Sequence, residues 1–328
     1  MTRRRFIKLL GGGATAIAWP VAARAQQGER IRRVGVLAPV RNPAFDIFRA
    51  QLQQLGYSEG RDIWLDFRTA DGRIDRLPAL AEELVRDGAI DAILADSTPA
   101  AVAARRATKT MPIVAYIAVD PVAAGLVTSL ARPGGNVTGV SFFAEELNAK
   151  RVELLHQVAP RARRFAAIAG KTASDANSPG NLRATADAAR KLSLAMEVIT
   201  VNDPATLRDD LSPTELSGFD GFVLVPDIIL TAHIADVVAL LSASGRPAVY
   251  FNRVHAEAGG LMSYGQDIAD TYRRLASQLD RVLKGAAPDG LPFERPTKFE
   301  LVINLKTAKA LGLDIPPTLL ARADEVIE

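Results

Sequence analysis

Few side chains in this sequence stand in a spacing that could do covalent chemistry. The three histidines, His156, His233 and His255, are far apart, and none belongs to an H-x-x-x-H pair that would set two imidazoles on one helix face around a metal. His156 falls on a helical stripe, where packing or surface position accounts for it. Cysteine is absent, which removes thiol nucleophiles, disulfides and Cys-ligated metals. No G-x-S-x-G turn presents a serine nucleophile, and neither Gly11-Gly12-Gly13 nor Gly134-Gly135 opens a phosphate-binding loop. Carboxylates are plentiful, but sequence alone does not pair them. No catalytic residue, metal or cofactor is therefore expected, and the sequence holds no positive sign of an enzyme.

The remaining polar candidates sit where apolar runs end. Ser97-Thr98 precedes Pro99 and opens a helical segment, so the site offers free N–H groups and a helix dipole to a carboxylate, or simply caps the helix. Asp120 could accept from a ligand ammonium or cap the next segment. Asp227, Tyr250 and Asn252 end later apolar runs and could line a cleft by stacking or hydrogen bonding, or serve as caps and packing. Pro39 ends the first run and completes the candidate ligand-binding set.

These positions matter because of the elements that must hold them. From Ile31 onward, short β-branched runs alternate with longer amphipathic segments, the pattern of parallel βαβ units. Strands are predicted over 31–38, 62–67, 89–95, 112–119 and 137–143, with helices over 45–55, 75–87, from 98 to about 108, and from 121 toward 130. The turn Arg132-Pro133-Gly134-Gly135-Asn136 interrupts this series. A helix over 145–158 leads into a second series, with strands at 164–169, 195–201, 219–225 and 247–251 and helices at 178–192, 204–211 and 230–244. The spacing then predicts a strand at 259–264, a helix at 268–283, a strand at 298–304 and a helix at 305–311. In open α/β sheets ligands bind at the carboxyl ends of the strands, which is where the candidates fall.

The 328 residues, 48% hydrophobic and 6% aromatic, have the balance of a globular protein and suffice for two α/β domains. A net charge of +3 would suggest an anionic partner, but five cations and no acid lie in residues 1–25. Without that segment 35 basic and 37 acidic side chains remain, a net charge of −2, so no nucleic-acid partner is expected. The segment has a cationic start, an apolar run from Leu9 to Val21 and an Ala23-Arg24-Ala25 cleavage pattern. Its apolar run is shorter than the ~20 residues a spanning helix needs. Thr2-Arg3-Arg4-Arg5-Phe6-Ile7-Lys8 resembles the twin-arginine export signal. A periplasmic protein, cleaved after Ala25 and without a membrane anchor, is expected.

Asp120-Pro121-Val122 with Gly125-Leu126-Val127, the turn Arg132 to Gly139, Gly259-Gly260-Leu261-Met262-Ser263-Tyr264 and the tail Pro296 to Asn304 together resemble the tryptophan/tyrosine-type substrate-binding proteins of ABC transporters, from about Ile31 to the C-terminus. The resemblance implies a type I periplasmic-binding-protein fold: two doubly wound parallel-sheet α/β lobes joined by a multi-crossing hinge. It implies a first lobe of residues 31–140 plus about 262–290, a second lobe of 141–258, and a C-terminal strand and helix over 291–328 near the hinge. The implied role is an extracytoplasmic receptor that closes on a small organic solute, an amino acid or similar carboxylate, and delivers it to an ABC permease. The Ser97-Thr98 helix start would take the carboxylate, with Asp227, Tyr250 and Asn252 contributing from the other lobe. A monomer is expected. An exported α/β hydrolase or lyase, or a sensory ligand-binding receptor, are the alternatives.

Overall fold

The computed structural model describes residues 31–171 and 179–328, so the leader expected over residues 1–25 lies outside the described residues. The first sheet has the order β2-β1-β3-β4-β5, built from β1 (Arg32–Ala38), β2 (Ile63–Thr69), β3 (Ala92–Ala95), β4 (Ile113–Ile117) and β5 (Val137–Ser141), all parallel. The β3 side chains are all buried because helices cover both faces. One face carries α1 (Phe45–Gln54), whose Phe45, Phe48 and Leu52 repeat at helical spacing; the other carries α2 (Leu77–Arg86) and α3 (Thr98–Ala107).

The second sheet begins as a copy of this order. β6 (Arg164–Gly170), β7 (Ala195–Val201), β8 (Gly221–Leu224), β9 (Ala248–Tyr250) and β10 (Met262–Gln266) align as β7-β6-β8-β9-β10, all parallel. β11 (Phe299–Asn304) then adds antiparallel to β10, and β12 (Glu325–Ile327) pairs parallel to β11. Its helices are α4 (Ala144–Val158), α5 (Pro179–Lys191), α6 (Leu207–Asp210), α7 (Pro213–Leu216), α8 (Ile228–Ala232), α9 (Ile234–Ala243) and α10 (Arg253–Glu257).

The chain crosses between the sheets three times. After β10 it returns to the first sheet as α11 (Ile268–Leu283), whose Tyr272, Leu275, Ala276, Leu279 and Leu283 join Phe45 and Phe48 in one core. The last crossing runs beside the free edge of β5: Ser141 N–H donates to Glu294 O at 3.0 Å, and Glu294 N–H donates to Gly139 O at 2.8 Å. α12 (Leu305–Ala310) and α13 (Pro317–Leu320) pack with the second sheet, and Arg295 of the last crossing stacks over Phe143, 4.0 Å from the ring centroid. Gly139 lets β5 approach β4, since a Cβ there would stand 1.9 Å from Ala115 O.

Several elements differ from the sequence reading. Residues 121–130 are turns, not a helix: Asp120 O accepts from Ala124 N–H at 2.9 Å for one turn, and Gly125 at a φ of +67° ends it. The helix expected over 230–244 is two, α8 and α9, divided at His233. Met262–Gln266 belongs to the second sheet rather than starting the return to the first, because its ladder is with β9 and β11. The tail beyond residue 298 likewise extends the second sheet, and β12, α10 and α13 had no periodic signal strong enough to read.

Candidate functional site

Each sheet reverses direction of winding at its first strand, between β1 and β3 and between β6 and β8, and the two reversal points face one cavity of about 180 Å³. That is smaller than the ~300–1,000 Å³ of drug-sized sites. The first-lobe wall holds Pro39, Val40 and Asn42 after β1, Asp96 to Pro99 after β3, Tyr116 from β4 and Ala118 just after it, and Phe142 after β5. The second-lobe wall holds Leu147 and Arg151 of α4, Asn181 of α5, Pro226 to Ile228 and Thr231 after β8, and Phe251 and Asn252 after β9; Gln266 and Ile268 lie where the chain crosses.

Of the residues singled out from sequence, Pro39, Ser97, Thr98, Asp227 and Asn252 line this cavity. Ser97 caps α3, accepting from Ala100 N–H at 3.1 Å, while Thr98 Oγ1 accepts from Ala118 N–H at 3.1 Å and ties the start of α3 to the end of β4. Both hydroxyls retain a proton to donate. Asp227 caps α8 through Ile229 N–H at 2.7 Å, and its carboxylate packs against the Gly170 backbone, where a Cβ would stand 1.9 Å from Oδ1. Asn252 caps α10, accepting from Val254 N–H at 3.4 Å.

Two expected residues are elsewhere. Asp120 is not in the cavity wall: its Oδ1 accepts from Val122 N–H at 2.8 Å and shapes the turn after β4. Tyr250 is 1% exposed and stacks on His255 with centroids 5.2 Å apart, behind the wall rather than in it. Tyr250 is the last residue of β9 and is buried within the lobe, whereas Phe251 and Asn252 lie in the loop beyond the strand end and reach the opening. Burial pushes the Tyr250 hydroxyl pKa up and drops that of His255 to about 4, so His255 is neutral near pH 7.

The charged groups of the cavity include two that sequence reasoning passed over. Arg151 is 1% exposed; its Nε donates to Tyr264 O at 2.7 Å and one terminal nitrogen to Asn148 Oδ1. Among the described residues no carboxylate pairs with it, and burial lowers its pKa to about 9, which leaves it protonated at neutral pH. Its signal was its place on the inward stripe Leu147, Arg151, Leu154, Leu155, Val158, where an apolar residue is the rule. Asp96 is 7% exposed and accepts from the Tyr272 hydroxyl at 2.6 Å, and Asn42 Nδ2 donates to that same hydroxyl at 2.6 Å. Desolvation raises the Asp96 pKa to about 7, against the hydrogen bonds that lower it. The Tyr116 hydroxyl, which accepts from Gln266 Nε2, and that of Tyr272 are both pushed up by burial and stay protonated. No sequence pattern marks Asp96, because it reads as the last position before a helix cap.

Two doubly wound lobes, three crossings and a solute-sized cavity between the strand ends define a two-lobed binding protein of the type I periplasmic class. Over residues 33–327 the chain matches the family model for ABC transporter substrate binding proteins, and it belongs to that family. It is 29% identical over 287 residues to a tyrosine-binding protein of Clostridioides difficile (strain R20291), covering 86% of this chain and 81% of the relative. An ABC domain from Streptococcus pneumonia in complex with L-Trp superposes with a TM-score of 0.82 at 29% identity, over 91% of this chain and 100% of that one. A ligand-free, open substrate-binding protein with adhesive properties from Clostridium difficile gives a TM-score of 0.65 at 25% identity, over 91% and 99%. The chain is thus a solute-binding component for ABC transport, a class that works outside the cytoplasm beside a membrane permease. Among the described residues no helix is long and apolar enough to cross a membrane.

Proposed function

We propose that this protein captures a small organic solute bearing a carboxylate, an amino acid or close relative, between its lobes and hands it to an ABC permease. The observation that carries this is Arg151: a guanidinium buried in the cavity wall without an acidic partner is costly unless a ligand anion completes it. Carboxylate geometry suits it, since a guanidinium offers paired donors. The tyrosine-binding relative and the L-Trp complex support an amino acid, and the higher TM-score on that complex than on the open structure fits lobes drawn together. Pro39, Ser97, Thr98, Asp227 and Asn252 shape the walls around the solute, while Asp120 and Tyr250 act on the fold. The role we propose is binding without turnover, as in the substrate-binding family to which the chain belongs. The leader over residues 1–25 sends the protein to the periplasm by the twin-arginine route, with cleavage after Ala25, and it acts there as a monomer.

Isothermal titration of the protein lacking residues 1–25 with aromatic and aliphatic amino acids, and with the matching carboxylates, tests the reading. Saturable binding of at least one of them, lost in Arg151→Gln, is the expected result. No heat from any of them, or unchanged binding by Arg151→Gln, would overturn it.

A further inference from the structure

The groups that hold the Arg151 guanidinium carry no charge. Its Nε donates to Tyr264 O at 2.7 Å, and Nη1 donates to Asn148 Oδ1. Asn148 is 0% exposed, and its Nδ2 donates to Asn181 Oδ1 at 3.3 Å, so its amide is turned with the oxygen toward Arg151. Asn181 is buried in turn, and Thr185 Oγ1 donates to Asn181 O at 2.7 Å one turn along α5. His255, buried in the same lobe, is neutral near pH 7. Among the described residues these contacts take two of the five N–H donors of a guanidinium, and the others lie on its two terminal nitrogens.

The amide at position 148 is not what burial of a cation by itself would select. α4 carries carboxylates at Glu145, Glu146 and Glu153, but these line a separate groove against α5. Where an arginine elsewhere on a helix of this chain pairs with the residue three positions earlier, that residue is aspartate, as in Asp46–Arg49 and Asp187–Arg190. Asn148 and Arg151 stand at the same spacing with an amide in the acid's place. An aspartate there has nearly the same shape, and it would offset the cost of burying Arg151 without a counter-ion. What the amide does and the acid would not is orient the guanidinium and leave its charge uncompensated.

We infer that Asn148 is a positioning residue: its neutral amide aims the Arg151 guanidinium and keeps its charge and terminal donors for the carboxylate of the solute. The inference rests on the reading that Arg151 takes that carboxylate. The two anchors, Tyr264 O and Asn148 Oδ1, grip the guanidinium at two of its nitrogens, so the planar fork is set before the solute arrives and little freedom is lost on binding. With aspartate at 148 the solute would compete with a built-in carboxylate for the same fork.

Titration calorimetry with L-tryptophan, L-tyrosine and L-leucine, each against its own carboxamide, tests this at about pH 6.5, where acid and amide both carry a protonated amine. For the tightest-bound amino acid the wild-type protein should prefer the acid on the order of 10- to 100-fold. In Asn148→Asp the preference should shrink to about threefold or less, while the urea midpoint of the empty protein rises because Arg151 has gained a counter-ion. In Asn148→Ala the charge remains but its aim is lost, and the preference should shrink about fivefold. A merely structural role would weaken acid and amide alike and leave their ratio unchanged. The wild-type ratio in either variant would therefore overturn the inference, as would an Asn148→Asp midpoint that does not rise. If the wild-type protein binds none of the amino acids or does not distinguish acid from amide, or if Arg151→Gln keeps the ratio, the carboxylate reading itself fails. A ratio lost in Arg151→Gln but kept in an Asn148 variant removes this inference alone.

Discussion

Replacing Asp96 by asparagine in the empty protein should change how stability depends on pH, and the change can be worked from the structure. The folded carboxyl titrates at about 7 because burial penalises its charge, while an ordinary carboxyl titrates at 3.8. Between those values the unfolded chain has released a proton that the native protein keeps, so stability falls as pH rises through that window. At about 1.36 kcal/mol per pH unit the loss reaches about 4 kcal/mol by pH 7 and is constant above it. His255 acts in the opposite sense. Its pKa is dropped from 6.5 to about 4 by burial, so the unfolded state binds the extra proton there and stability rises with pH between those values by about 3 kcal/mol. In the wild-type protein the two contributions oppose each other from about pH 4 to 6.5. In Asp96→Asn the His255 slope stands alone: stability should climb toward pH 6.5 and then level off. The variant should match wild type near pH 4 and exceed it by up to about 4 kcal/mol at pH 8. Urea unfolding followed by circular dichroism is the suitable assay, since Trp64, the single tryptophan beyond residue 25, is 52% exposed and reports weakly on the core. A stability difference between the two proteins that stays the same at every pH would refute the burial argument for Asp96.

Arg151→Gln should weaken carboxylate binding by about 2–5 kcal/mol, the loss typical of removing one partner from a buried charged contact, read by calorimetry. Asp120→Ala should cost about 1 kcal/mol of stability through its turn and leave solute affinity unchanged; a large affinity loss would mean that the turn after β4 reaches the solute. Gly139→Ala should cost about 3 kcal/mol, seen as a lower urea midpoint, because the new Cβ would meet Ala115 O at 1.9 Å and β5 would have to move away from β4.

The periodicity of residues 31–251 was enough to show two successive βα series, because apolar residues at period 2 and period 3.6 report burial that every such unit requires. Strand ends were legible for the same reason, and Ser97, Thr98, Asp227 and Asn252, picked out through them, line the cavity. Tyr250 was misplaced by a single position: β9 ends at Tyr250, still inside the core, and the cavity is reached only by the loop residues that follow it. Asp120 was misplaced because a cap and a ligand contact need the same side chain, and only the position of the following turn separates them.

What sequence determined by itself is local: the elements, their order, the charge balance of −2 beyond residue 25, and the absence of cysteine. The family resemblance implied that residues 268–283 return to the first lobe; tertiary structure alone decided that β10 and β11 complete the second sheet, since hydrogen-bond ladders join residues far apart in the chain. It also decided the site's electrostatics. Arg151 and Asp96 are ordinary charged residues until the fold removes water from both and, among the described residues, sets no counter-ion beside either, and burial of this kind is a property of three-dimensional surroundings that no spacing along the chain records.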